Sequence, residues 1–91
     1  MSLEVTYFAE GRNKTIYGSP ILSETVASLS GLTPASADVV RIKSLANNRF
    51  DYALNASATS SAGAHGHYIA QGDIIDLNAT PGWKLSVTAA A

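Results

Sequence analysis

Cysteine is absent from this chain, so neither a disulfide framework nor a thiolate metal site can reinforce its fold. Charge is scarce as well. Charged side chains make up 14% of the residues, well below the roughly one quarter of an ordinary soluble domain, and the six Lys and Arg are scattered. With a formal net charge of −1 there is no electrostatic footprint for a phosphate backbone, which argues against nucleic-acid binding. No apolar run approaches the length of a membrane-spanning helix. Met1-Ser2-Leu3-Glu4-Val5 lacks the basic start and long apolar segment of an export signal, so the expectation is a soluble protein with no membrane partner. Helical periodicity is missing too, with residues 24–29 as the one ambiguous stretch.

What is present in quantity is small and uncharged: Ala, Ser, Thr, Asn and Gly. Ninety-one residues make one domain, residues 1–91, and a chain of this size buries only about two-thirds of its extended surface on folding. The core must be thin, and assembly with other subunits is the obvious remaining source of stability. A surface of small uncharged residues lies flat against a partner at little cost in desolvation or side-chain entropy.

The apolar residues alternate. Leu3, Val5 and Tyr7 do so near the N-terminus, Val40 and Ile42 around Arg41 and Lys43, and Phe50, Tyr52 and Leu54 around Asp51 and Ala53. Tyr68 and Ala70, Ile75 and Leu77, and Trp83, Leu85 and Val87 repeat the pattern. A period of two places one face inward and the other outward, as in antiparallel strands. Residues 15–17 read as a short continuation of the first strand and residues 21–29 as another strand. Residues 31–37, with Pro34, read as a connection that could cross between two sheets. The breaks carry turn chemistry: Asn47-Asn48 tolerates left-handed geometry, Gly72 suits a two-residue hairpin, and Pro81-Gly82 fits the centre of a type II turn. Such spacing predicts an all-β fold, a small β-sandwich of seven or eight short antiparallel strands, with a jelly roll as its expected form. Phe50 and Trp83 are the expected core aromatics, each costing about 3–5 kcal/mol when truncated.

Candidate chemistry is thin. His65 and His67 stand two apart, which on a strand puts both imidazoles on one face and makes them the candidate metal ligands; no third ligand at suitable spacing accompanies them. Asp73 and Asp76, three apart, would face opposite sides of a strand, the wrong geometry for paired carboxylates. Asp73 is better read as a turn former and Asp76 as an edge-solubilising charge. No serine lies in a Gly-x-Ser-x-Gly context, so the chain reads as no enzyme, with no catalytic residues and no cofactor. Phe50, Tyr52, Tyr68 and Trp83 could form a platform for sugar rings, which keeps a small carbohydrate-binding module as the alternative class. A metal-clasped spike or fibre tip, built on the histidines, is another.

The order Asp38-Val39-Val40-Arg41-Ile42, then Phe50-Asp51-Tyr52-Ala53-Leu54, a small-residue stretch over 56–63, His67-Tyr68-Ile69-Ala70-Gln71-Gly72 and Pro81-Gly82-Trp83-Lys84-Leu85-Ser86-Val87 resembles small virion structural proteins of tailed bacteriophages. Gln71-Gly72 stands where those chains more usually have Ala-Gly, and the histidine pair departs from their pattern. The resemblance covers the second half of the chain and is one of strands and turns. It implies a capsid decoration or cement subunit, assembled in the host cytoplasm into the virion as a homo-oligomer, with a trimer favoured. Its partners would be the major capsid protein or other virion proteins. Contact residues are then expected in the N-terminal segment, at Tyr7, Arg12, Lys14 and Tyr17, and in the small-residue loop, at Asn55, Ser57 and Thr59.

Overall fold

The computed structural model describes residues 2–9, 20–54, 56 and 66–90. These form seven strands: β1 (Leu3–Phe8), β2 (Pro20–Val26), β3 (Val39–Ser44), β4 (Asn48–Ala53), β5 (His67–Ile69), β6 (Ile74–Asn78) and β7 (Lys84–Ala89). Every pairing is antiparallel, in a four-stranded sheet ordered β2-β1-β3-β6 and a three-stranded sheet ordered β5-β4-β7. The predicted small β-sandwich is thus what the chain adopts. A jelly-roll topology is not established, since that fold needs two Greek keys over eight strands.

Alternation decides what is inside. Leu3, Val5 and Tyr7 of β1 stand opposite Ser44, Ile42 and Val40 of β3, and cross-strand partners share a face, so all six side chains enter the core. The smaller sheet answers with Phe50, Ile69, Leu85 and Val87. Full burial of such a Val, Leu, Ile or Phe side chain contributes about 1.5–3 kcal/mol, and this two-layer cluster is the main stabilising term.

Three short connections carry the chain between sheets. The first, at residues 45–47, is stapled by Asn48, which is wholly buried. Its Nδ2 donates to Ser44 Oγ at 2.9 Å and Ser2 O at 3.0 Å, with Ala46 O at 3.3 Å. Asn48 therefore opens β4 instead of sitting in a left-handed turn, because its amide satisfies the crossover from within. The second connection is the turn at Ala70–Asp73, closed by Asp73 N–H to Ala70 O at 3.0 Å, with Gly72 at φ 88°. Asp73 returns its carboxylate to Ala70 N–H, the turn-forming role expected of it. Gly72 was expected in a two-residue hairpin, but β5 and β6 belong to different sheets, so this turn makes a crossing. The third, Thr80–Trp83, closes with Trp83 N–H to Thr80 O at 3.1 Å; Gly82 at φ 83° gives it the type II form expected of Pro81-Gly82.

The connection through residues 31–37 does not change sheets, since β2 and β3 both lie in the larger one. It instead runs along the outer edge of β7, where Ser30 N–H reaches Leu85 O at 2.8 Å, Thr33 N–H reaches Trp83 O at 2.9 Å, and Val87 N–H reaches Ser28 O at 2.9 Å. An edge that would otherwise be open is thereby covered. Residues 15–17, read as a strand continuation, lie outside the described residues.

Two aromatic residues exchange the places expected of them. Tyr7, expected to reach a surface and contact a partner, is completely buried, because its odd-numbered position on β1 puts it in register with Leu3 and Val5. Trp83, expected as a core plug, precedes β7 and is only half-buried. Leu54 lies just past the end of β4 and is exposed.

The buried Tyr7 hydroxyl makes no hydrogen bond, although the Ser30 and Thr33 hydroxyls lie close enough to favour its ionised form slightly. Burial dominates and raises its pKa above 10.0, with the Glu24 carboxylate adding to the rise. A phenol that holds its proton more tightly when folded stabilises the fold fully below the unfolded pKa, and this contribution is lost as pH rises through the folded one. Because its hydroxyl is buried without a partner, Tyr7→Phe should gain about 1 kcal/mol at neutral pH. Urea unfolding of the variant should also show a shallower loss of stability above pH 10 than the parent shows.

Candidate functional site

Along one side of the sandwich the two sheets part into an open cleft of about 560 Å³. Unequal strands are the cause. β5 is three residues long and pairs only with Asn48, Arg49 and Phe50, so the edge of β4 from Asp51 onward is left unpaired by it. β6, across from it, is the edge of the larger sheet. Phe50, Tyr52, Ile75 and Leu77 form the floor, and Trp83 and His67 stand as walls. Asp51, Tyr68, Asn78 and Thr80 complete the rim.

Trp83 is held by a hydrogen-bonded relay. Tyr52 OH lies 2.7 Å from Thr33 Oγ1 and 3.2 Å from Thr80 O, and Thr33 Oγ1 lies 2.8 Å from Trp83 O, so two hydroxyl protons serve this set of oxygens. The phenol oxygen in turn accepts from Thr80 N–H at 2.9 Å. This ties both ends of the Thr80–Trp83 turn to β4 and sets the indole against the Tyr52 ring, centroids 5.3 Å apart and tilted by 59°. Tyr52→Phe should cost about 1–2 kcal/mol and, by freeing the turn, shift Trp83 fluorescence to the red; an unchanged emission maximum would show that the indole is held by packing alone.

β5 is fixed from the other face. Arg49 donates from Nη1 to Gly66 O at 3.1 Å and lies 5.7 Å from the centre of the Tyr68 ring. Alternation with Ala70 predicts an inward Tyr68; it is 52% exposed, and Ile69 takes the core position because Ile69 pairs with buried Asn48. His67 is exposed and turns its ring toward Phe50, 5.6 Å away at 41°. His65, its proposed companion in metal binding, lies outside the described residues, as do the expected contact residues Arg12, Lys14, Tyr17, Asn55, Ser57 and Thr59. Among the described residues no group of three His, Asp or Glu could hold a metal ion. None of their helices is long and apolar enough to cross a membrane.

The second feature of note is β2. It is an edge strand, and of its seven residues only Val26 is buried and Glu24 half-buried. Ile21 is 40% exposed and Leu22 is 44% exposed. Leu22 pairs with Tyr7 and so lies on the core face, at a corner that the three-stranded sheet does not reach. The outer face beside it is small and polar, with Ser23 Oγ donating to Thr6 Oγ1 at 3.2 Å. Farther along that face, Asp76 forms an ion pair with Arg41, Nε to Oδ1 at 3.0 Å, and Arg41 stacks 5.6 Å over Phe8. Asp76 does sit on an edge strand, but its pairing with Arg41, directly opposite on β3, could only be found from the register.

No protein-family model, curated protein or solved structure matches this chain. Its class is accordingly defined by its own architecture, a two-sheet antiparallel sandwich that, among the described residues, leaves the β2 edge uncovered and holds an aromatic cleft on a separate part of its surface.

Proposed function

We propose that the chain is a non-enzymatic bacteriophage virion structural protein, a capsid decoration or cement subunit that stabilises a shell through subunit contacts. The virion assignment rests on the order of strands and turns from Asp38 to Val87. The observation that carries assembly is β2, a seven-residue edge strand that leaves Ile21 and Leu22 in solvent. An edge with unpaired backbone groups and apolar side chains is a site for another chain to pair or pack. The partners are the major capsid protein or other virion proteins, and further copies of the chain itself, a trimer being favoured. Each subunit would act mechanically: burying its small and apolar surface across neighbours binds the closed arrangement and not the open one, so local opening becomes costlier.

The test is absolute mass in solution by light scattering, with and without a chelator, for the parent and for Ile21→Lys combined with Leu22→Lys. A closed oligomer that ignores chelator and falls to monomer in the double variant is the expected result. A parent that is monomeric at every concentration, and whose β2 amides exchange freely, would overturn self-assembly through this edge. An oligomer that dissociates only on chelation would transfer the assembly role to the histidines and support a metal-clasped tip. The virion assignment has a separate check in the genes flanking the coding sequence, where capsid and portal genes are expected and an unrelated metabolic cluster would contradict it.

A further inference from the structure

We infer that the cleft between β6 and the β4–β5 edge is a binding site for neutral saccharides, with Trp83 and Tyr52 as the stacking surfaces. The inference is independent of β2 and of assembly. Its first ground is shape. A volume of about 560 Å³ falls within the range of about 300–1,000 Å³ typical of small-ligand sites, and the cleft is set in the sandwich side with fixed walls.

The second ground is the way the aromatic side chains are placed. Trp83 and Tyr52 are half-buried, meet at 59° and are locked by the Thr33–Tyr52–Thr80 bonds, so their rings are held at an angle without being consumed by the core. The apolar C–H face of a pyranose packs on such a ring and leaves its hydroxyls at the ring margin. Large aromatic area of this kind comes at a low entropy cost on binding, because the rings are already held in place.

The third ground is the chemistry of the rim. Asp51 and Asn78 offer carboxylate and amide groups that carry no hydrogen bond or ion pair with the described residues, and His67 is exposed beside them. Together they supply both donors and acceptors, as a polyhydroxylated ligand requires. Among the described residues no Lys or Arg lines the cleft, so a phosphate, a sulfate or a uronate would meet the Asp51 carboxylate without a lysine or arginine to balance it. A lipid tail or apolar peptide would leave the same rim groups without partners.

Trp83 is the only tryptophan in the chain, so its fluorescence reports on this cleft alone. The experiment is a titration of the whole protein with a panel of neutral oligosaccharides, glucans, mannans and chitin oligomers, followed by fluorescence and by calorimetry. A saturable change with at least one of them is expected. Asn78→Ala, at an exposed rim position that should not disturb folding, should weaken binding about tenfold, the loss of one or two ligand hydrogen bonds. Trp83→Ala, confirmed as folded by a cooperative thermal transition, should abolish binding in calorimetry. Three results would overturn the inference: no response from any oligosaccharide at millimolar concentration, saturable binding unchanged in both variants, or a response confined to anionic sugars or phospholipid vesicles.

Discussion

Replacing Phe50 by alanine should lower the unfolding free energy by about 3–5 kcal/mol, the usual result of removing a large ring from a close-packed core. Phe50 is 3% exposed, pairs with Val87 on one side and His67 on the other, and belongs to the cluster that joins the two sheets. A domain of this length is stable by about 5–14 kcal/mol in total, so the variant would lose about a fifth or more of what it has. Thermal unfolding should show a midpoint at least about 12 °C lower. Trp83→Ala should cost far less, because half of the indole already faces solvent. If the two variants unfolded at the same temperature, the division between core and cleft described above would be wrong.

The second large effect is expected at Asn48→Asp. The side chains have nearly the same shape, but the carboxylate has no protons to give to Ser44 Oγ and Ser2 O, and it would be buried without a cation. Leaving such a charge unpaired costs about 3–5 kcal/mol. The pH dependence follows from the same burial. In the folded variant the new carboxyl has a pKa raised above its unfolded value, so the protonated form is the one that folding tolerates. The defect should thus be largest at neutral pH and shrink as pH falls through the raised pKa. Urea unfolding at pH 5 and pH 8 checks this; an equal loss at both would mean that the site is hydrated and the staple is of little consequence.

The strands themselves could be read from alternation. Val40 and Ile42, Ile75 and Leu77, and Leu85 and Val87 all turn inward as expected, and the breaks at Gly72 and Gly82 fall where positive φ is needed. Alternation does not state which sheet a strand enters. Gly72 illustrates this, since a turn of the same local chemistry can close a hairpin or change sheets, and the outcome depends on whether Ile69 and Ile75 bury against one another's sheet or within it. The two misplaced aromatics have a similar explanation. Tyr7 lies in the N-terminal segment expected to contact a partner and Trp83 directly after the Pro81-Gly82 turn, yet register alone decides the first and the start of β7 the second. Of the cleft, its aromatic members were visible in the sequence as a possible sugar platform. Its depth was not, because it comes from the shortness of β5, and nothing in residues 66–70 announces a strand of only three residues.

The order of pairing also governs when this protein can acquire its structure. β4 holds β7 along its whole length, and the edge of β7 then receives residues 28–33. Leu85 and Val87 thus close a core whose other side, on β1, was synthesised some eighty residues earlier. Until β7 has emerged from the ribosome, the inward faces of β3 and β4 have no lid, and residues 28–33 have no strand to lie on. Folding dominated by such distant pairings is slow, on the order of milliseconds to seconds. The nascent chain will therefore pass through a period with its apolar strands exposed, and its low charge gives little protection against self-association during that time.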